Sequence, residues 1–117
     1  MKRYMAVFLG STEAMQKWNG LDEAARKKQE REGMMAWGKW VEDHKGSIAS
    51  DGAPLGKTKR VDKNGISDTK NEMAAYVVVN AESYDEAAKM FENHPHFAIF
   101  PGDRVEVMEE LPIPKME

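Results

Sequence analysis

Two segments of the chain are apolar at nearly every position, whereas a strand with one wet face alternates apolar and polar residues. In residues 2–10 both sides of the predicted strand are apolar: Tyr4, Ala6 and Phe8 alternate with Met5, Val7 and Leu9. Residues 73–81 repeat the pattern: Ala74, Tyr76 and Val78 alternate with Ala75, Val77 and Val79. Because a large exposed apolar patch is a liability for a soluble protein, we expect both faces of the sheet to be covered.

A second copy of the chain is the simplest cover for the sheet face that the helices leave open. Stacking two identical sheets buries the same patch on both subunits, so we predict a homodimer. The alternative is that the chain's own hairpin, at residues 57–72, and its tail, at residues 111–117, fold over this face. The hairpin is almost wholly polar, which favours the homodimer.

Helices are predicted by capping residues and by the spacing of apolar positions. A short helix is expected at residues 11–18, and a long helix from Asp22 to about His44. The apolar positions of the long helix lie in its second half: Met34, Trp37, Trp40 and Val41. Ser83 and Glu86 form a capping box that predicts the start of the second main helix, which is expected to end near residues 93–95.

The remaining predicted strands complete the order of secondary-structure elements along the chain. Strands are predicted at residues 46–50 and 104–110, and Asn64-Gly65 predicts a two-residue turn in a projecting, mobile hairpin at residues 57–72. The order is then β-α-β, hairpin, β-α-β, in a single domain of residues 1–117, with residues 111–117 as an extended tail. This order predicts an α+β fold, a ferredoxin-like sandwich whose antiparallel sheet carries both helices on one face.

Composition narrows the classes of partner. Seventeen basic and 20 acidic side chains give a net charge of -3, which offers no electrostatic footprint for nucleic acid. The chain has no cysteine, so disulfides and thiolate chemistry are excluded and a reducing compartment is favoured. Its apolar runs are too short to span or enter a membrane. We therefore expect a cytoplasmic protein that binds neither nucleic acid nor a membrane.

A shaped turn follows the second predicted strand and presents a carboxylate. Asp51 stands beside Gly52 and Pro54, and the two latter residues favour one backbone conformation. With Trp37 and Trp40 on the neighbouring helix, this loop predicts a cleft with a polar handle and an apolar wall. We assign Asp51 as the candidate catalytic residue and the other four as candidate ligand-binding residues. The alternative is that Asp51 only bonds the backbone of its own turn.

The chain has three histidines, at positions 44, 94 and 96. His94 and His96 have a spacing that would suit a metal on a strand, with Asp103 as a third ligand, but Pro95 stands between them. We therefore expect no metal site, and assign His94 to ligand binding. His44 falls in the last turn of the long helix, where its charge is favourable without any chemistry.

Four strings in the predicted order resemble the YCII-related family, whose relatives include the DGPF domain proteins. They are "YMAVFLG", "GSIASDGAPLG", "AYVVVNAESYDEAAKMFENHP" and "GDRVEVMEEL". The resemblance implies a dimeric α/β barrel made of ferredoxin-like protomers. It also implies a histidine in the first long helix near a carboxylate, where this chain has "GMMA" at Gly33 to Ala36. Methionine and alanine cannot transfer protons, so this departure weakens an acid/base assignment.

Two classes of function remain. The first is a noncatalytic homodimer that holds a small molecule in the cleft, and the missing helix histidine favours it. The second is a small-molecule enzyme that uses Asp51 as acid or base. Related dimeric α/β barrels, among them cofactor-independent monooxygenases, add oxidative chemistry as a further alternative. Haem is not expected, because no histidine stands at an evident pocket-facing helix position, and we predict no cofactor.

Overall fold

A computed structural model of the chain describes residues 1–115. In chain order the elements are β1 (Lys2–Leu9), α1 (Thr12–Asn19), α2 (Glu23–His44), β2 (Ile48–Pro54), β3 (Thr58–Asp62), β4 (Gly65–Thr69), β5 (Met73–Ala81), α3 (Tyr84–Lys89), α4 (Pro95–Ala98) and β6 (Arg104–Glu109). Four strands form an antiparallel sheet in the order β2-β5-β1-β6. The α+β class with an antiparallel sheet is confirmed, and the strand order is that of a ferredoxin-like protomer.

Side-chain caps fix the starts of the helices. Asp22 accepts a hydrogen bond from the Ala25 amide at 2.7 Å, at the start of α2, and Ser11 does the same for α1. At α3 the Ser83 hydroxyl accepts from the Glu86 amide at 3.2 Å. The Glu86 carboxylate accepts a hydrogen bond from the Glu82 amide. In a standard capping box the donor would be the amide of the N-cap residue, Ser83, one position later. These bonds satisfy amides that the first turn of a helix leaves free.

The core lies between the helices and one face of the sheet. Its buried residues on the sheet alternate along β1 and β5 as Tyr4, Ala6, Phe8, Val77 and Val79, and the helical side contributes Trp40, Ala87 and Phe91. Met34, which the apolar stripe of α2 placed in this contact, is 70% exposed instead. The stripe of α2 therefore begins at Trp37.

The opposite face of the sheet is also apolar. Val7 and Val78 lie at its centre and are nearly buried, whereas Met108 towards its margin is 46% exposed. Cross-strand neighbours shield the centre, since Val7 pairs with Tyr76 on one side. The predicted apolar character of both faces is confirmed at the centre of the sheet.

The segment between β2 and β5 forms a two-stranded sheet of its own, β3 with β4. Its loop is Lys63-Asn64, one residue earlier than predicted, because Asp62 pairs with Gly65. The Asp62 carboxylate accepts from the Asn64 amide at 2.9 Å, and Gly65 takes a φ of +115°. The five positions of β4 are exposed, so this hairpin does not supply the missing cover.

The molecule is extended for its length. Its radius of gyration is 16.5 Å and its principal extents are 59 × 43 × 19 Å, against about 13 Å expected for the radius of a compact domain of similar size. The tail is exposed at residues 111–115, while Met116 and Glu117, the end of the predicted extended tail, lie outside the described residues. None of the helices within residues 1–115 is both long and apolar enough to cross a membrane.

Two element boundaries differ from the predictions. β2 continues to Pro54, so that Asp51, Gly52 and Pro54 belong to an irregular strand edge and not to a separate loop. The second main helix ends at Lys89, well before the predicted stop at residues 93–95. A further short helix, α4, follows from Pro95, where proline suits the first turn.

Candidate functional site

A cleft of about 730 Å³ lies between α2 and the β2–β5 edge of the sheet. Five of the six residues assigned from sequence line it together: Trp37, Trp40, Asp51, Gly52 and Pro54. The wall also includes Phe8, Met34, Gly38 and His96. The structure thus brings the shaped segment of β2 and the indoles of α2 to one place.

The indoles are held by contacts behind the cleft. Trp40 Nε1 donates to the Met90 carbonyl at 2.7 Å, and its ring lies 5.1 Å from the Phe91 ring. Trp37 packs against Phe8 at 4.9 Å between ring centroids. Packing and a hydrogen bond therefore fix these aromatic walls without a ligand.

The β2 side is shaped by a bulge at Asp51 and Gly52. The pairing with β5 shifts between Ser50 and Ala53, and Gly52 takes a φ of +64°. A Cβ at Gly52 would lie 1.8 Å from the Tyr76 carbonyl oxygen, so only glycine fits. The Gly52 amide donates to the Ser50 hydroxyl at 3.3 Å, and the exposed residue Asp51 lines the cleft beside this bulge.

His94, a predicted ligand-binding residue, is not among the residues that line the cleft. It is fully buried behind both indoles, with its ring 4.5 Å from Trp37 and 4.8 Å from Trp40. Its Nδ1 accepts from the His96 amide at 3.0 Å, and Nε2 is enclosed without a partner among residues 1–115. Burial, with the nearby His96 and His44, lowers the pKa of His94 to about 4, so this imidazole is neutral at pH 7.

His96 lines the cleft in its place. Its Nε2 lies 2.7 Å from the Leu9 carbonyl oxygen. A carbonyl only accepts hydrogen bonds, so Nε2 carries the proton and Nδ1 keeps a free lone pair. The Nε2 edge of the ring is closed by Gly102, where a Cβ would lie 2.2 Å from the ring. Burial also lowers the pKa of His96, which keeps this tautomer neutral at pH 7.

At position 33 of α2, where the family resemblance implies a histidine nearby, there is no room for a side chain. A Cβ on Gly33 would lie 2.5 Å from the Phe100 ring, so any side chain would displace that ring. Met34 is exposed at the mouth of the cleft. The ionisable residues of the wall are Asp51, Tyr76 and His96, and alternation along β5 turns the Tyr76 side chain to the opposite face.

A second cavity of about 510 Å³ adjoins the first. It lies at the start of α1 and is bordered by Ser11, Thr12, Lys70 and Asn71. His96 lines both cavities. Within residues 1–115, no three histidine or acidic side chains come together as a metal site would require.

The sequence pointed to His94, whereas His96 is the histidine that lines the cleft. A signal was present, because Pro95 favours a helix start, and the residue before such a helix is a cap. His94 is that cap. The direction of the His96 ring depends on Leu9 and Gly102, which are distant in sequence.

The comparisons with known proteins identify the fold. No family model and no curated protein sequence matches the chain. A solved structure of 5-chloro-2-hydroxyhydroquinone dehydrochlorinase from Burkholderia phenoliruptrix AC1100, in complex with 2,5-dihydroxybenzoquinone, is similar with a TM-score of 0.53 and 18% sequence identity. The match covers 90% of this chain and 89% of that one. Nearly the whole chain therefore shares the fold of that dehydrochlorinase, and membership of the YCII-related family stays a prediction.

Proposed function

We propose that the protein is a homodimeric, cytoplasmic small-molecule-binding protein whose cleft holds a planar, largely apolar molecule. The observation that carries this proposal is the cleft of about 730 Å³ walled by Trp37, Trp40 and Phe8, with Asp51 at its edge. Ligand sites commonly have volumes of about 300–1,000 Å³ and combine apolar walls with a few polar groups.

Pre-formed walls support binding over a purely structural role. The indole of Trp40 is anchored by Met90 and the backbone at Gly52 is fixed by its approach to Tyr76. A ligand entering such a site does not have to order these groups, which keeps the entropic cost of binding low. Asp51 then supplies a polar contact, since the hydroxyl of Ser50 already serves the turn.

The homodimer is supported by the open face of the sheet. Val7 and Val78 occupy its centre and Met108 its margin, and neither the hairpin nor the described tail covers them. A second copy stacked on this face would bury a continuous apolar layer and give the extended protomer a compact assembly.

The fold neighbour supports the class of ligand. That neighbour is a 5-chloro-2-hydroxyhydroquinone dehydrochlorinase in complex with 2,5-dihydroxybenzoquinone. The hydroquinone and the benzoquinone are both flat rings, and aromatic walls favour flat rings through stacking and edge contacts.

Catalysis is the second candidate, favoured by one observation. Asp51 and His96 are ionisable side chains that line the same cleft, and a carboxylate with a neutral imidazole is a common acid/base pair. In this alternative Asp51 acts as acid or base on the bound molecule.

A thermal-shift screen with planar aromatic compounds tests the proposed function. A ligand at 100 times its dissociation constant stabilises a protein by about 2.7 kcal/mol. The matched control fills the cleft: a Cβ on Gly38 meets nothing within 4 Å, and Gly38 lines the cleft on exposed α2. Gly38→Trp should fold and lose the ligand-induced shift, whereas Gly38→Ala should keep it. Shifts that survive Gly38→Trp, or no shift in the wild type, would contradict the proposal.

A further inference from the structure

The cleft wall contains one oriented hydrogen-bond acceptor that the apolar walls do not explain. His96 is 7% exposed, yet its Nδ1 has no partner among residues 1–115 and is not enclosed as His94 Nε2 is. Leu9 and Gly102 hold the opposite edge of the ring in place. A fixed acceptor on a ring that lines an aromatic cleft is suited to a donor on a ligand.

The charge of the cleft limits what that ligand carries. Asp51 is the acidic side chain of the wall, and no lysine or arginine within residues 1–115 lines it. Trp40 Nε1 is already occupied by Met90. The available polar groups, His96 Nδ1 and the Asp51 carboxylate, both accept hydrogen bonds and neither attracts an anion.

We propose that His96 anchors the ligand: Nδ1 accepts a hydrogen bond from a hydroxyl group on a neutral aromatic molecule, so the cleft selects hydroxyaromatic compounds over aromatic ethers and carboxylates. This inference rests on the proposed ligand-binding role of the cleft. It names the chemical class of the ligand and the atom that recognises it.

Three naphthalene probes of similar size test the selection: 2-naphthol, 2-methoxynaphthalene and 2-naphthoate. Titration calorimetry on the wild type should give about tenfold tighter binding for 2-naphthol than for the methyl ether, the usual scale of one buried hydrogen bond. 2-Naphthoate should bind more weakly than 2-naphthol because Asp51 repels it. Equal binding of all three, or preference for the acid, would overturn the inference while leaving an aromatic cleft in place. No binding of any probe would overturn both.

His96→Gln separates recognition from folding. The glutamine amide can still donate to Leu9 but places no acceptor at the Nδ1 position. The variant should bind 2-naphthol about tenfold more weakly, close to the methyl ether, with little change for the methyl ether itself. Equal loss for both probes would assign His96 a merely structural role and overturn the proposal. If the variant does not fold, the wild-type comparison decides alone.

The adjoining cavity also borders His96, so the test must locate the hydroxyl. Gly38→Trp fills the cleft beside α2 and leaves the second cavity untouched. Loss of 2-naphthol binding in this variant supports the assignment. Binding that persists with its preference for the hydroxyl would move recognition to the second cavity and overturn the proposal.

Discussion

The two faces of the central sheet carry similar side chains in different surroundings. Val77 and Val78 are neighbours on β5 and each is 5% exposed. Val77 packs into the cluster formed with Trp40 and Phe91, whereas Val78 points to the face that no helix within residues 1–115 covers. One residue type thus belongs to a folding core on one face and, in our proposal, to an assembly surface on the other.

The largest effect is expected from Val77→Glu. The new carboxylate would be buried among aromatic rings without a partner, which costs on the order of 4 kcal/mol or more. We expect loss of most of the free energy of unfolding, measured by urea denaturation followed by circular dichroism. Val77→Ile is the matched control and should remain folded. If Val77→Glu had the same free energy of unfolding as the wild type, the two faces of the sheet would not differ as we expect.

Val78→Glu should leave the protomer folded and separate the subunits. In an isolated protomer the glutamate can reach water across the open face, but in a stacked dimer it would be desolvated. Light scattering at micromolar concentration should give twice the 13.2 kDa chain mass for the wild type and one chain mass for the variant. A wild type that stays monomeric on concentration would refute the homodimer.

Acid should lower the free energy of unfolding through the buried side chain of His94. Its folded pKa is lowered to about 4 from an unfolded value of about 6.5. Between these values the unfolded chain binds the extra proton, so stability is fully present above about pH 6.5 and falls towards pH 4. The loss is at most about 3 kcal/mol.

Urea midpoints from pH 7.5 to pH 4 would measure this loss. His94→Asn keeps an acceptor for the His96 amide and removes the titration, so its midpoints should vary less with pH. The same slope in wild type and variant would assign the acid sensitivity to other groups.

The smallest effect on stability is expected from Asp51→Ala. If Asp51 serves a ligand, the free energy of unfolding should change by less than about 0.5 kcal/mol, while binding of the ligand found in the screen is lost. If it serves the turn, stability should fall by about 0.5–1.5 kcal/mol. Melting and binding curves measured on the same variant distinguish these two roles. A destabilised variant that binds the ligand normally would show that Asp51 has only a structural role in the turn.

The sequence predicted the elements whose signals are local. Ser11, Asp22 and Ser83 cap the helices that their positions indicated, and the doubly apolar strands β1 and β5 became the central pair of the sheet. Such signals act within one turn or one strand, so no knowledge of the rest of the fold is needed.

The site was predicted only in part, because distant contacts shape it. The continuation of β2 past Asp51 depends on the approach of Gly52 to Tyr76. The exchange of His94 for His96 at the cleft depends on Leu9, more than eighty residues away. Neither contact leaves a pattern in the residues beside it.

The Phe100 ring lies directly against Gly33 of α2. Phe100 lines both cavities, and Gly33 lets α2 approach that ring. A larger residue at position 33 would displace the Phe100 ring and so change the shape of both cavities, although position 33 itself lines neither. In our proposal, the shape of the ligand that fits therefore depends in part on a residue that does not touch it.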